Sequence, residues 1–118
     1  MKIYTSYIGN WRNFPEDSEV FMITRSIPAW VEFKQAPELA PNKFLFDRFK
    51  YGNMTQEEFS KQYRNQLNSI NLNQTIKELS NSKSIILACY EKPEDFCHRH
   101  ILSEELAKLN YDVEELNN

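Results

Sequence analysis

The sequence lacks several features that would place it in particular protein classes. No apolar stretch in its 118 residues is long enough to cross a bilayer, and the N-terminus enters a strand pattern without the apolar segment of a secretory signal. There are only two cysteines. We therefore expect a cytoplasmic protein with no membrane partner, in which both cysteines are thiols.

An excess of positive charge is also missing. The formal net charge is −3 at pH 7, which disfavours non-specific binding to nucleic acid or acidic lipid but leaves room for a local basic cleft. Hydrophobic residues make up 41% of the chain and aromatic residues 14%, which predicts a packed core rather than disorder. The length fits a single domain over residues 1–118.

Strand and helix patterns alternate along the chain. Residues 2–8 and 20–25 are rich in β-branched and aromatic residues, a strand Ser84–Cys89 is predicted from the unbroken apolar run Ile85 to Cys89, and residues 111–116 suggest an edge strand. Residues 27–43 contain three prolines and suggest irregular coil. The pattern predicts a small α/β domain of two or three layers, with a largely parallel sheet and a site at the carboxyl edge of its strands.

Capping residues indicate where the helices begin. Asn42 precedes a short helix that carries Phe44 and Phe46, Thr55 precedes the clearest amphipathic helix, and Asn71 or Asn73 precedes a third. A last helix is predicted over residues 97–110.

Both cysteines and both histidines lie between residues 89 and 100. Cys89 ends an apolar strand and Cys97 opens the last helix, which is where α/β proteins place ligands and chemistry. Extending the helix's apolar stripe backwards directs Cys97 and His98 toward the sheet. His100 lies about 200° round the helix from His98 and should point elsewhere.

This cluster has three interpretations. Its spacing is not a standard zinc pattern, although Cys89, Cys97 and one histidine would make a three-ligand site. The cysteines can also be core residues, with His98 hydrogen-bonded among them. Finally, the first turn of a helix stabilises a thiolate at Cys97 and attracts an anion, and Lys92, His98 and Arg99 would add positive charge.

Parallel strands would bring further residues to the same edge of the sheet. Trp11 follows the first strand, Arg25 the second and Glu91 the third. Arg25 follows apolar residues and needs an anionic partner, which is either a bound phosphate or a carboxylate such as Glu91. Trp11 can stack on a ring or cover one end of the core.

The block from Leu87 to Leu106 resembles the family called domain of unknown function 488. Members of that family carry Cys-x-Glu-Lys, a short acidic loop, Cys-His-Arg and a leucine-rich helix, and here the motifs are Cys89-Tyr90-Glu91-Lys92 and Cys97-His98-Arg99. The segments Ile3-Tyr4-Thr5-Ser6-Tyr7 and Arg25-x-x-Pro28-x-Trp30 are similar to a short branch of the family.

The chain departs from the longer relatives at one position. They often have Asp two positions before the strand-two arginine, where this chain has Ile23, so no role of that Asp is carried over. The resemblance implies an α/β domain and a site, without naming a reaction. The implied site residues are Cys89, Glu91, Cys97, His98, Arg99 and Arg25.

From these observations we expect an enzyme or a binding domain for a small anionic, phosphate-bearing ligand of nucleotide type. The candidate catalytic residues are Cys89, Cys97, His98 and Glu91, and the candidate ligand-binding residues are Arg25, Arg99, Lys92 and Trp11. The alternatives are a metal-binding module using Cys89, Cys97 and a histidine, and a non-catalytic interaction protein of phage or defence type. The sequence specifies neither a cofactor nor an oligomeric state.

Overall fold

A computed structural model describes residues 1–27, 29–91 and 95–116, in which strands alternate with helices. The strands are β1 (Lys2–Tyr7), β2 (Glu19–Met22), β3 (Lys34–Gln35), β4 (Ser84–Cys89) and β5 (Asp112–Glu115). The α-helices are α1 (Lys43–Tyr51), α2 (Gln56–Asn68), α3 (Leu72–Leu79) and α4 (His98–Lys108). Short 3₁₀ helices cover Ile8–Asn13 and Pro37–Leu39.

The five strands form one sheet in the order β3-β2-β4-β1-β5. Every pairing between them is parallel, which confirms the predicted α/β class and the parallel sheet. The carboxyl ends of β2 and β4 are therefore neighbours, because Met22 is paired with Ala88. Among the described residues, no helix combines the length and the hydrophobicity needed to cross a membrane.

The α-helices all pack on one face of the sheet. Ile85, Leu87 and Cys89 of β4 belong to the same buried cluster as Leu45 of α1 and residues of α2, α3 and α4. The opposite face carries a smaller cluster of Ile8, Met22 and Ala88, covered by side chains from the segments on either side of β2. The domain thus has two layers, and loops cover the second face of the sheet.

Three of the predicted helix caps are present. The side chain of Asn42 accepts a hydrogen bond from the backbone N–H of Leu45, that of Thr55 from Glu58, and that of Asn71 from Gln74. Each cap satisfies one of the backbone donors that a helix leaves free in its first turn. Asn71, rather than Asn73, caps the third helix.

Several predicted boundaries were wrong. The first strand ends at Tyr7, and the second ends at Met22, because Thr24 turns back to donate a hydrogen bond to the carbonyl of Ser26. The expected coil of residues 27–43 contains β3 and a 3₁₀ helix. The last helix begins at His98, with Cys97 as its N-cap.

Candidate functional site

A cavity of about 300 Å³ opens at the carboxyl edge of the sheet. It lies where β2 and β4 end, beside α1, α2 and the start of α4. In open α/β sheets this edge is the usual place for a ligand, and the volume suits a small molecule. Its walls are formed by Thr24, Arg25, Ser26, Pro41, Phe46, Phe49, Lys50, Phe59, Tyr90, Glu91, Phe96, Cys97 and His98.

One wall of the cavity is aromatic. The rings of Phe49 and Phe59 have centroids 4.6 Å apart, and Phe96 lies 5.5 Å from the first and 5.6 Å from the second. Phe46 adds a ring that is 41% exposed, and the ammonium group of Lys50 lies 5.4 Å from its centroid. Such a surface can hold a flat ring by stacking and by burial of apolar area.

Two cationic side chains, Arg25 and Lys50, border the same cavity. Arg25 is exposed, and its Nη1 donates to the backbone carbonyl of Pro41 at 3.5 Å. The expected alternatives for this side chain were a phosphate or the Glu91 carboxylate, and among the described residues it forms no ion pair. Within the described part of the chain, its guanidinium group therefore faces the cavity without a carboxylate partner.

A chain of hydrogen bonds runs from the backbone to a carboxylate in the cavity wall. Nε2 of His98 lies 2.6 Å from the carbonyl oxygen of Ile23, and since that oxygen can only accept, Nε2 carries a proton. Nδ1 of His98 lies 3.8 Å from Sγ of Cys97, and the Cys97 thiol donates to Oε2 of Glu91 at 3.3 Å. Glu91 is exposed, whereas Cys97 and His98 are buried.

The surroundings of Cys97 keep its thiol protonated. Burial raises the pKa of Cys97 far above its ordinary value, and a hydrogen bond with Cys89 raises it further. This runs against the expectation that the helix's first turn would stabilise a thiolate at Cys97, and burial is the largest cause. Burial alone would lower the pKa of His98, but its hydrogen bonds with Cys97 and with the Ile23 carbonyl raise it.

Arg99 is fully buried, and its guanidinium group is occupied within the protein. Nε donates to both carboxylate oxygens of Glu115, at 3.2 and 3.1 Å, and Nη1 donates to Sγ of Cys89 at 2.9 Å and to the carbonyl of Glu91 at 2.7 Å. Nη2 lies 3.0 Å from Glu115 but outside hydrogen-bonding geometry. The expectation that Arg99 is free to clamp an anion was wrong, since Glu115 already neutralises it.

Two other residues singled out in the sequence, Trp11 and His100, do not line the described part of this cavity. Trp11 does not reach this cavity and lies beside a different surface pocket with Arg12, Trp30 and Phe33, so its predicted ligand contact here was wrong. His100 is half-buried and contributes nothing to the described walls of the cavity. Lys92 lies outside the described residues.

Sequence reasoning missed Glu115, Lys50 and the phenylalanine wall. The sequence did contain a signal for Glu115, because it lies two residues after Val113 on β5 and so shares its face of the sheet. In the structure its register partner Thr5 donates a hydrogen bond to its carboxylate. Both side chains therefore face the helices. The wall combines α1, α2 and the segment before α4, and no local pattern brings those three together.

Comparison with known proteins gives one match. A family model described as "Active DUF488-N3 subclade" (DUF488-N3a) matches residues 7–110. No curated protein and no solved structure matches the chain. Because the family model covers most of the sequence, the chain belongs to the DUF488 family.

Proposed function

We propose that the cavity at the carboxyl edge binds a small anionic ligand with a flat ring, of nucleotide type. The observation that carries the proposal is one cavity lined by phenylalanine rings and bordered by Arg25 and Lys50. The ring of the ligand would stack on the aromatic wall, and its phosphate would accept hydrogen bonds from the two cations. Arg25 would bind the anionic group of the ligand, as expected from the sequence. Lys50 would supply the second positive charge that the sequence analysis had assigned to Arg99.

Glu91 is the group most suited to contact the reacting part of the ligand. It is exposed at the cavity, and its carboxylate accepts a hydrogen bond from Cys97. The Cys97 sulfur in turn lies 3.8 Å from Nδ1 of His98. In this arrangement the Glu91 carboxylate accepts a proton from the ligand, or a hydrogen bond from a ligand N–H. Cys97 and His98 position the carboxylate. The description of the matching subclade as active supports chemistry as well as binding.

The two free cysteines support the expectation of a cytoplasmic location, where thiols stay reduced. A single domain over residues 1–118 also stays a prediction, as does the alternative of a non-catalytic interaction protein. Ligand binding separates the two functional hypotheses, because an interaction protein has no need of a small anion in this cavity.

The test is a thermal-shift and calorimetric titration with nucleoside monophosphates, the matching nucleosides and inorganic phosphate. We expect a monophosphate to raise the melting temperature most, and at a hundred times its Kd it should add about 2.7 kcal/mol of stability. Arg25→Ala should weaken binding about tenfold, because a charge-assisted hydrogen bond contributes about 1.5 kcal/mol at an exposed position. Phe46→Ala should weaken binding about fivefold through lost stacking, which contributes about 1 kcal/mol per base at its lower limit.

Matched controls are available for both variants. Phe44 is 65% exposed on the same helix and does not line the cavity, so Phe44→Ala should bind like the native protein. Arg12→Ala removes an exposed arginine that lies beside the other pocket. If no monophosphate stabilises the protein, or if Arg25→Ala and Phe46→Ala respond as their controls do, the proposal is wrong. A non-catalytic interaction protein would then be the better-supported function.

A further inference from the structure

Two sulfurs and a carboxylate converge below the cavity. The ligand atoms of Cys89, Glu91 and Cys97 all lie within 4.8 Å of one another. Cys89 is the last residue of β4, Glu91 follows it in the loop, and Cys97 caps α4, so each is positioned by a regular element or lies two residues from one. This trio, which we call the Cys-Glu-Cys cluster, shares Glu91 and Cys97 with the cavity wall and includes none of Arg25, Lys50 and the phenylalanines.

The donor atoms in the cluster select one kind of cation. Two thiolates and one carboxylate suit zinc, whereas Mg²⁺ and Ca²⁺ require oxygen ligands throughout. With zinc–sulfur bonds of about 2.3 Å, two sulfurs in a tetrahedral site lie about 3.8 Å apart. The two sulfurs, which lie within 4.8 Å of each other, therefore need to approach by about 1 Å at most to share a zinc ion.

The surroundings of both sulfurs resemble the outer contacts of a metal-bound thiolate. Nη1 of Arg99 donates to Sγ of Cys89 at 2.9 Å, and the backbone N–H of Arg99 points at Sγ of Cys97 at 3.5 Å. Donors of this kind orient thiolate ligands and stabilise their negative charge. The guanidinium group also offsets part of the charge of two thiolates and a carboxylate, and zinc binding would release the proton that Cys97 keeps in the metal-free protein.

The histidines stay outside the cluster. His98 bonds through Nε2 to the carbonyl of Ile23, and its Nδ1 lies 3.8 Å from Cys97, so the ring is held as a partner of the backbone. Neither histidine belongs to the cluster. The alternative considered from the sequence used two cysteines and a histidine, whereas in the described residues the third potential ligand close to both sulfurs is Glu91.

We propose that Cys89, Glu91 and Cys97 form a zinc site that leaves one coordination position open toward the cavity. Glu91 and Cys97 line the cavity wall, so the open position faces the space in which a ligand would lie. Three protein ligands with one open position is the arrangement of catalytic zinc, and closed structural sites use four. The site can thus hold a water or a ligand atom and polarise it, and with zinc bound Glu91 acts as a metal ligand in place of the proton acceptor proposed above.

The test uses the full chain, stripped with a chelator under reducing conditions and titrated with Zn²⁺ or Co²⁺. We expect one metal ion per chain, and with Co²⁺ a near-ultraviolet sulfur-to-metal charge-transfer band with visible bands typical of a tetrahedral site. Glu91→Gln should weaken Zn²⁺ binding at least about tenfold, since even outer-contact changes have effects of that size. Cys97→Ser should remove most of the charge-transfer intensity.

The matched control is His100→Ala, which changes a histidine outside the cluster and should bind Zn²⁺ as the native chain does. If Cys97→Ser fails to fold, the native Co²⁺ spectrum and Glu91→Gln, which alters an exposed side chain, still decide the matter. The proposal is wrong if the reduced native chain shows no sulfur-to-cobalt band, or if Glu91→Gln binds Zn²⁺ like the native chain.

A thiol assay accompanies the metal titration. It should show two free sulfhydryl groups once the metal is removed, and a disulfide that persists under reducing conditions would overturn the zinc site. The metal titration contains no nucleotide, so its failure leaves the ligand-binding proposal standing. A failure of the Arg25 and Phe46 variants to affect nucleotide binding would likewise leave the zinc site standing.

Discussion

Replacing Arg99 by alanine is expected to remove about 3–5 kcal/mol of folding free energy, the largest effect we predict for a single substitution. The side chain is 0% exposed, and its loss would leave three partners without their donor: the Glu115 carboxylate, the Cys89 sulfur and the Glu91 carbonyl. Glu115 is 22% exposed, so water would partly compensate it and the effect should lie toward the lower limit. Urea unfolding followed by circular dichroism measures the change.

Two variants sharpen this prediction. Arg99→Lys keeps the charge but replaces a planar fork with a single ammonium group, so it should recover only a minor part of the lost stability. Arg12→Ala removes an exposed arginine and should stay within about 0.5 kcal/mol of the native protein. A loss below about 1 kcal/mol in Arg99→Ala would show that the guanidinium group does not hold these elements together.

The second large effect is a loss of stability in alkaline solution. Burial raises the pKa of Cys97 above its ordinary value of 9.0 and that of Tyr63 well above 10.0. From pH 9 upward the unfolded chain therefore releases protons that the folded protein retains, and each such group lowers the free energy of unfolding by about 1.4 kcal/mol per pH unit. Between pH 8 and pH 11 the two groups together should remove about 4 kcal/mol.

Burial is the largest cause of the raised pKa of both groups, and around Cys97 the neighbouring Cys89 raises the pKa further whereas His98 lowers it. Cys97 faces Cys89, Glu91, His98 and Arg99, and the Tyr63 hydroxyl donates to the carbonyl of Leu39. The pKa of His98 is also raised, so its contribution falls with rising pH as well, beginning near its ordinary value of 6.5.

Urea unfolding of metal-free protein at a series of pH values tests the alkaline effect. The double variant Cys97→Ser, Tyr63→Phe removes both groups, so its stability should fall less steeply above pH 9 than that of the native protein. Tyr51 is 75% exposed, and Tyr51→Phe should follow the native curve. Parallel curves for the native protein and the double variant would show that neither group retains its proton in the folded state.

Local sequence patterns were sufficient to predict the elements whose residue types are determined by neighbouring positions in the chain. The strand Ser84–Cys89 was predicted with its observed bounds, because a strand covered on both faces forms a continuous apolar run, here from Ile85 to Cys89. The caps Asn42 and Thr55 were found because a side-chain acceptor at the start of a helix is a local requirement. The resemblance in the Cys-His-Arg block gave the family.

The missed features depend on pairings between distant parts of the chain. Lys34 and Gln35 of β3 are both exposed, so that strand pairs through its backbone and leaves no hydrophobic pattern. Arg99 resembles a solvent-facing residue in the first turn of a helix, and only the pairing of β5 with β1 brings Glu115 to it. For the same reason its expected role as a ligand clamp was wrong.

The order of strands in the sheet has a consequence for how the protein folds. β1 pairs only with β4 and β5 among the described strands, and β4 lies between β1 and β2. Until β4 is in place, the earlier part of the chain has only the two-residue pairing of β2 with β3. Folding must therefore close a loop of about eighty residues between β1 and β4 before most of the sheet exists, which is typical of slow, late-condensing domains. The cavity and the Cys-Glu-Cys cluster are built on the end of that same strand, so neither can form before this long loop has closed.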